Sequence, residues 1–328
     1  MSAGVPLVSV RDLCVRFPVG RGEAVKAVDG VSFDVDPGET FGIIGESGSG
    51  KSTIGRTLVS LLAPTSGVVL HEGVDLSTLS RSELRLRRRP YQVIFQDPNA
   101  ALDPRMTILQ SVREPLDIVG ELDPREREAV ALRCLDHVGL TRDHGRRYPH
   151  ELSGGQKQRA NIARVLTVRP RLVVCDEAVA ALDVSIRAEI LNLFSELQRE
   201  FGLAYVFITH DLGIVSHVSR RVAVMYLGVF VETGPVEEVL SRPLHPYTEA
   251  LTWSQPLPVP ASMRTRERKV LQGEIPSPVN PPSGCRFHTR CPHAQQRCAD
   301  EVPQWRELAA GRWVACHFAG HVGSVSMA

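Results

Sequence analysis

The sequence predicts an α/β fold built around a largely parallel β-sheet. Two observations carry this prediction. Short apolar runs of strand length alternate with longer helical patterns through about the first 235 of the 328 residues, and strands that are buried on both faces of a parallel sheet are apolar in this way. A glycine-rich loop also joins one of these strands to a helix. The charge is nearly balanced, with 38 basic and 37 acidic side chains, which argues against nucleic acid as a partner.

The predicted strands and helices alternate in chain order. The strands are expected at Thr40–Ile44, Val68–Leu70, Gln92–Phe95, Leu172–Cys175, Ala204–Ile208 and Val222–Met225. The helices are expected at Lys51–Leu62, Gln156–Thr167 and Val184–Glu200. Residues 106–150 are charged, favour helices and contain no apolar strand, so they are expected to form a helical insertion. This alternation is typical of sheets that are covered by helices on both faces.

The glycine-rich loop at residues 45–52 matches the pattern G-x-x-x-x-G-K-[ST] at every fixed position. In such a loop the backbone N–H groups point at phosphate oxygens, and the following helix adds the positive end of its dipole. Lys51 is expected to reach the β- and γ-phosphates, and the Ser52 hydroxyl is an expected Mg²⁺ ligand. The sequence therefore predicts a nucleoside-triphosphate site formed by Gly45, Glu46, Ser47, Gly48, Ser49, Gly50, Lys51, Ser52 and Thr53.

Two carboxylates follow an apolar strand downstream of this loop. The run Leu172–Cys175 ends at Asp176 and Glu177, and ligands of parallel sheets bind at the carboxyl ends of the strands. Asp176 is expected to hold Mg²⁺, directly or through water. Glu177 is expected to polarise the water that attacks the γ-phosphate.

A second glycine motif, Leu152–Gln156, precedes a basic helical pattern and is expected to form another anion site. Together with the phosphate loop, this pentapeptide resembles the signature of the ABC ATPase family. Further matches follow in the family's order. Gln96 resembles the Q-loop glutamine, Asp183 lies in a segment that resembles the D-loop, and His210 resembles the switch histidine. Phe17 lies where an aromatic side chain often stacks on adenine.

The resemblance covers roughly residues 7–250 and implies that two such ATPases pack head to tail. Each ATP would lie between the phosphate loop of one subunit and the signature of the other. The implied signature contacts are Ser153, Gly154, Gly155 and Gln156. The implied Mg²⁺ ligands are Ser52, Gln96 and Asp176, and the implied catalytic residues are Glu177, His210, Gln96 and Lys51.

The C-terminal part of the chain narrows the resemblance to one branch. Twelve of the 23 prolines lie from Pro235 onward, and because proline disrupts strands, no continuation of a regular sheet is expected there. The segment Leu244–Leu251 resembles the His-Pro-Tyr-Thr segment of oligopeptide and dipeptide importer ATPases, and the segments 273–278 and 280–285 resemble their C-terminal extension. Together with Ala178–Ala180, these segments most resemble the second, F-type subunit of such an importer. The expected domains are an ABC ATPase domain at 1–235, with a helical subdomain at about 97–167, and a C-terminal extension at 236–328.

Four cysteines lie in this extension with the spacing C-x₅-C-x₆-C-x₁₇-C. Four thiolates suit either a zinc ion or an iron–sulfur cluster, and the resemblance favours a 4Fe–4S cluster. Buried or disulfide-linked thiols are the remaining alternative. The expected cluster ligands are Cys285, Cys291, Cys298 and Cys316.

The resemblance implies an enzyme that hydrolyses ATP to ADP and phosphate and thereby energises the uptake of oligopeptides or dipeptides. The sequence has no apolar run of 18 residues, and Met1–Gly4 do not start a signal peptide, so the expected location is peripheral, on the cytoplasmic face of the membrane. The implied partners are a second ABC ATPase in a heterodimer or homodimer, two permease subunits and an extracytoplasmic substrate-binding protein. The alternatives are a nickel or glutathione importer of the same family, a soluble ABC ATPase outside transport, and a regulatory module without turnover.

Overall fold

The computed structural model describes residues 5–20, 22–254 and 273–320. Its strands are β1 Val8–Gly20, β2 Glu23–Val35, β3 Thr40–Ile44, β4 Ser66–His71, β5 Val74–Asp75, β6 Tyr91–Ile94, β7 Leu172–Asp176, β8 Ala204–Thr209, β9 Arg221–Tyr226, β10 Val229–Pro235, β11 Arg306–Ala309 and β12 Arg312–Val314. Its helices are α1 Lys51–Leu58, α2 Arg81–Arg87, α3 Pro98–Ala101, α4 Ile108–Val119, α5 Pro124–His137, α6 Arg142–Arg146, α7 Gly154–Leu166, α8 Val184–Phe201, α9 Leu212–Val218, α10 Val236–Ser241, α11 Pro246–Ser254 and α12 Gln296–Asp300.

The larger sheet confirms the predicted α/β fold. Its strands lie in the order β11-β12-β10-β9-β3-β8-β7-β6, and the five strands from β9 to β6 are parallel. Strands β3, β7 and β8 are buried along their whole length, which explains their uninterrupted apolar character. Because parallel strands end at the same edge, the segments that follow β3, β6, β7 and β8 meet there. These segments carry the phosphate loop, Gln96, the acidic pair and His210.

A separate antiparallel sheet, in the order β2-β1-β4-β5, packs against the larger one. The predicted strand Val68–Leu70 therefore belongs to β4 of this second sheet and not to the parallel sheet. The side chains of the antiparallel sheet and of α1 form a common hydrophobic core with one face of β3, β7 and β8. Helices α4, α5, α7 and α8 pack against the opposite face of β7 and β8. The parallel strands are thus covered on both faces, as layered α/β architectures require.

The expectation that the C-terminal region adds nothing to the sheet is wrong. Strand β12 pairs antiparallel with β10, with Glu232 opposite Val314, and β11 pairs with β12. Both strands lie after Pro303, the last proline of the sequence, so their backbone N–H groups remain available for pairing. The domain boundaries at residues 235 and 236 remain predictions.

Within residues 5–20, 22–254 and 273–320, no helix has both the length and the hydropathy needed to cross a bilayer. The expectation about Met1–Gly4 concerns residues outside the described ranges.

Candidate functional site

The phosphate loop has a backbone shape that only glycine accommodates at two of its positions. Gly45 has a φ of 155°, and a Cβ there would lie 2.2 Å from the carbonyl oxygen of Met225. Gly50 has a φ of 108°, and a Cβ there would lie 2.0 Å from the carbonyl oxygen of Ala27. Since both obstacles are backbone atoms, they cannot move aside in the way that the end of a side chain does. The loop therefore needs these glycines for close packing as well as for their φ angles.

Lys51 folds back into the loop that it follows. Its Nζ donates to the carbonyl oxygens of Gly45 and Glu46, each over 2.8 Å, and to the Ser49 hydroxyl over 3.4 Å. Burial lowers the pKa of Lys51, and the nearby carboxylates, Glu177 first, oppose this effect. The ammonium group is thus held at the centre of the loop, where phosphate oxygens would replace the carbonyl oxygens as its partners.

Two of the three predicted Mg²⁺ ligands are in contact. The Ser52 hydroxyl donates to Oδ1 of Asp176 over 2.8 Å, although Ser52 follows β3 and Asp176 ends β7, and β8 lies between these two strands. Asp176 is buried, and this burial raises the pKa of its carboxyl group. Gln96, the third predicted ligand, lies exposed after β6 and is hydrogen-bonded to neither residue. A hydroxyl and a carboxylate are hard oxygen donors of the kind that Mg²⁺ prefers, so this pair fits the ion.

The predicted base and the predicted switch histidine are also adjacent. Nδ1 of His210 lies 3.2 Å from Oε1 of Glu177. Glu177 has a φ of 49°, and its N–H donates to the carbonyl oxygen of Ile208 over 2.9 Å. This bond to β8 fixes the turn that aims the carboxylate away from the strand. The arrangement supplies a proton acceptor and an exposed imidazole beside the phosphate loop.

The signature residues form the start of α7 and lie apart from the phosphate loop. The Ser153 hydroxyl accepts from the Gln156 N–H over 3.3 Å, and the Gln156 side chain accepts from the Ser153 N–H over 3.0 Å. This reciprocal capping box fixes the first turn of the helix. Ser153 and Gly154 are exposed, and Gly155 packs so tightly on Ile186 that a Cβ would lie 2.6 Å from its Cγ2. No hydrogen bond joins residues 152–156 to residues 45–52.

The two remaining predicted nucleotide contacts lie on the protein surface. Phe17 is 39% exposed on β1, so part of its side chain is accessible. Asp183 precedes α8 and makes no side-chain capping bond, so its carboxylate is not committed to its own helix.

The prediction of an iron–sulfur cluster is wrong. The four C-terminal cysteines line one cavity of about 250 Å³, yet no group of three or more Cys, His, Asp or Glu side chains in the described ranges is placed to hold a metal ion. The same finding leaves the zinc alternative without support. All seven cysteines are free thiols, so the disulfide alternative is not supported either.

Two of these cysteines, Cys285 and Cys291, are partly buried, and the loss of solvent disfavours their charged form. Burial raises the pKa of Cys285 to about 11 and that of Cys291 to about 12. Both side chains pack against the buried aromatic cluster around Phe287. A thiol that packs in this way contributes as a small hydrophobic group.

Sequence reasoning missed two residues that contact the phosphate loop, Tyr247 and Arg290. Both belong to the C-terminal segment, and both bind Glu46. The available signal was Glu46 itself, because a carboxylate inside a phosphate-binding loop needs a cation beside it.

Two family models match separate parts of the chain. A family model described as ABC transporter matches residues 28–180, and one described as the C-terminal region of oligopeptide/dipeptide transporters matches residues 231–298. The first range contains the phosphate loop, the signature and the acidic pair.

Relatives match over nearly the whole chain. The oligopeptide transport ATP-binding protein AppF of Bacillus subtilis is 49% identical over 318 residues, which are 95% of this chain and 97% of the relative. A Sinorhizobium fredii protein named "Probable peptide ABC transporter ATP-binding protein y4tS" is 50% identical over 317 residues, which are 95% of this chain and 89% of the relative.

Solved structures match the ATPase part. The cassette MJ0796, solved as a dimer in a post-hydrolysis state with ADP and phosphate, is 31% identical with a TM-score of 0.63, over 70% of this chain and 98% of that one. The protein cbiO1 from Clostridium perfringens, part of the transporter complex cbiONQ, is 29% identical with a TM-score of 0.65, over 72% of this chain and 91% of that one.

Proposed function

The chain belongs to the ABC transporter family, in the oligopeptide and dipeptide branch whose ATP-binding subunits hydrolyse ATP, and from that membership we propose that it energises the import of short peptides. One observation carries the assignment of the catalytic site. Strands β3, β7 and β8 are far apart in sequence but end at one edge of the parallel sheet, and there they bring together Lys51, the Ser52–Asp176 pair and the Glu177–His210 pair.

Each of these groups has a defined part in ATP hydrolysis. The loop N–H groups bind the phosphates, and Lys51 exchanges its carbonyl partners for β- and γ-phosphate oxygens. Ser52 and Asp176 would hold Mg²⁺, and the ion would supply positive charge to neutralise the phosphates. Glu177 orients the attacking water and accepts its proton, and His210 positions this water against the γ-phosphate.

A complete ATP site in this proposal needs a second ATPase subunit. The signature turn at Ser153 and Gly154 is exposed and has no hydrogen bond to the phosphate loop of its own chain. The turn is therefore available to an ATP that is bound to a partner, with Gly155, Gln156 and Asp183 beside it. The dimer of the similar cassette MJ0796 supports this arrangement. The partner is a second ABC ATPase, either a different chain or another copy of this one.

A groove beside Gln96 is the proposed contact with the permease subunits. It has a volume of about 390 Å³ and lies between α2, β6, α4 and α7. Its lining combines the apolar side chains Phe95 and Ile118 with the guanidinium groups of Arg85 and Arg164. In this proposal the ATPase lies on the cytoplasmic face of the membrane, Gln96 connects the groove to the ATP site, and an extracytoplasmic binding protein delivers the peptide.

The substitution Glu177→Gln tests the catalytic assignment. Glutamine keeps the shape of the side chain but accepts no proton, so ATP hydrolysis is expected to fall about 100-fold or more, while ATP still binds. The matched control is Glu196→Gln, an exposed position on α8, which should hydrolyse ATP at the wild-type rate. Equal turnover in the wild type and Glu177→Gln would show that Glu177 is not the base.

The cargo is tested in the whole complex. The tagged chain is purified from its native membrane, its partners are identified, and the complex is reconstituted in vesicles with its binding protein. Di- and oligopeptides are expected to stimulate ATP hydrolysis and to accumulate in the vesicles. Stimulation by nickel or glutathione alone would contradict peptide import, and recovery of the chain only with ribosomes or DNA would contradict transport.

A further inference from the structure

The second residue of the phosphate loop, Glu46, is held by two residues from the C-terminal part of the chain. Its backbone N–H donates to the hydroxyl of Tyr247 over 2.9 Å. Its carboxylate accepts two hydrogen bonds from Arg290, of 2.7 Å from Nη1 to Oε2 and 3.0 Å from Nη2 to Oε1. A paired guanidinium–carboxylate contact fixes both groups more firmly than a single neutral hydrogen bond does. Tyr247 and Arg290, which lie 201 and 244 positions after Glu46 in the sequence, thus hold one residue of the ATP site.

Both partners of Glu46 are themselves fixed by packing. Tyr247 is fully buried, and its ring centroid lies 4.7 Å from that of Tyr226 and 5.3 Å from that of Phe287. The Arg290 side chain is only 5% exposed, and its guanidinium lies 5.8 Å over the Tyr226 ring. The hydrogen bonds to Glu46 raise the pKa of Arg290, so the cation persists. Because neither side chain has room to move, neither loses much conformational entropy in holding Glu46.

Glu46 in turn connects these residues to Lys51. The N–H of Glu46 is bound by Tyr247, and its carbonyl oxygen accepts from Nζ of Lys51 over 2.8 Å. A displacement of Glu46 would therefore move one of the two carbonyl groups that hold the lysine. It would also turn the N–H groups of the loop away from the position where they meet phosphate.

The charge of Glu46 makes the pairing necessary. A free carboxylate in a loop that binds a polyphosphate repels the ligand, and this repulsion is strong where water is partly excluded. Arg290 places a positive charge directly on that carboxylate.

We propose that the C-terminal segment, residues 236–254 and 273–320, is a positioning element of the ATP site. In it, Tyr247 and Arg290 hold the phosphate loop through Glu46, and Arg290 also neutralises the charge of the Glu46 carboxylate. The inference rests on the proposed role of residues 45–52 in binding ATP. If Arg290 positions the loop in this way, nucleotide affinity depends on whether the segment that carries Arg290 is docked against the ATPase core.

The test is a double-mutant cycle on the full-length chain. The dissociation constant for a fluorescent ATP analogue is measured for wild type, Arg290→Met, Glu46→Gln and the double variant. Arg290→Met leaves the carboxylate unpaired, and affinity is expected to fall about 10-fold. Glu46→Gln in the Arg290→Met background removes the repelling charge, and affinity is expected to return to within about 3-fold of wild type.

Two further variants separate positioning from general stability. Arg297→Met removes another arginine of the same segment, one whose ion pair with Glu301 is exposed, and wild-type affinity is expected. Tyr247→Phe keeps the buried ring but removes the hydroxyl that accepts the Glu46 N–H, and about a 3-fold loss of affinity is expected. The thermal midpoint of each variant is recorded in parallel, and Tyr247→Phe serves as the probe if Arg290→Met does not fold.

The proposal is overturned if Arg290→Met and Tyr247→Phe both bind ATP like the wild type. It is also overturned if the loss in Arg290→Met is not rescued by Glu46→Gln and only follows the thermal midpoint. Failure of the wild-type chain to bind ATP is a different result, since it would contradict the proposed function of the loop itself.

Discussion

Two glycines of the phosphate loop differ in what surrounds them, although both have positive φ angles. Gly48 has a φ of 78°, and a Cβ there would meet nothing within 4 Å. Gly50 has a φ of 108°, and a Cβ there would collide with the backbone carbonyl of Ala27. At Gly48 glycine is favoured by its conformation alone. At Gly50 it is required for its conformation and for space, because the loop packs against β2.

The substitutions Gly50→Ala and Gly48→Ala therefore have different expected effects. Gly48→Ala forces alanine into a left-handed conformation, which costs about 1 kcal/mol of stability. Gly50→Ala adds a clash with backbone that cannot relax without moving the loop, so ATP affinity should fall at least about 10-fold further than in Gly48→Ala. ATP titration and thermal unfolding of the two variants provide the measurement. Equal losses in both would mean that the close approach to Ala27 is unimportant.

A buried histidine, His245, immediately precedes helix α11 and binds its neighbours in the neutral form. Nδ1 of His245 accepts the N–H of Tyr247 over 3.0 Å, and the N–H of His245 donates to Glu232 over 2.9 Å. Burial lowers the pKa of His245 to about 3, so its Nδ1 keeps the lone pair that this contact needs. The His-Pro-Tyr segment thus positions Tyr247, whose hydroxyl reaches the phosphate loop.

This histidine should make stability depend on pH. The unfolded chain takes up a proton at the ordinary histidine pKa of about 6.5, whereas the folded chain does not until about pH 3. The contribution of His245 to stability is therefore complete above pH 6.5 and is lost as the pH falls below it, by about 1.4 kcal/mol per pH unit.

The substitution His245→Asn isolates this contribution. The difference in unfolding free energy between wild type and His245→Asn should shrink by about 2 kcal/mol between pH 7 and pH 5, as measured by urea denaturation at each pH. His217→Asn, at an exposed position on α9, is the control and should leave the pH dependence unchanged. A parallel pH dependence in wild type and His245→Asn would contradict the burial argument.

On the scale of the whole molecule, the C-terminal segment is attached to the ATPase core by ionic contacts at several places. Arg312 of β12 pairs with Glu232 of β10 over 2.7 Å, and both side chains are almost fully buried, at 6% and 0% exposure. Arg286 pairs with Asp29 on β2. Burial raises the pKa of Glu232, while its hydrogen bonds, including the one from Arg312, oppose that shift. The charged form of the buried Glu232 carboxylate is therefore stabilised by its pairing with the Arg312 guanidinium.

Removal of that cation should destabilise the fold. Arg312→Met is expected to lower the free energy of unfolding by about 3 kcal/mol, because it leaves a buried charge unpaired. In the double variant Arg312→Met/Glu232→Gln, a large part of that loss should be recovered. Arg297→Met, which removes an exposed ion pair, should change the free energy by less than about 1 kcal/mol. Urea denaturation distinguishes the cases, and similar effects of Arg312→Met and Arg297→Met would contradict the role of the buried pair.

The sequence by itself determined the parts of this protein whose requirements are local. A phosphate loop needs its glycines and lysine in consecutive positions, and a strand that is buried on both faces needs an uninterrupted apolar run. Residues 45–52, the acidic pair at Asp176 and Glu177 and the parallel sheet were therefore predictable from short segments. The C-terminal resemblance to peptide importers was likewise carried by a few contiguous residues.

Only the tertiary structure decided which distant groups meet. The order of strands places Ser52 against Asp176 and Glu177 against His210, and strand order depends on long-range pairing that no short segment encodes. The pairing of Arg290 with Glu46 depends on how a segment 244 residues away docks. The C-terminal cysteines have a spacing that suits a metal, but their number and spacing do not reveal where the fold puts their side chains. They line one cavity as free thiols, and within the described residues no group of three or more Cys, His, Asp or Glu side chains is placed to hold a metal ion, because the positions of side chains on distant segments are set by tertiary packing.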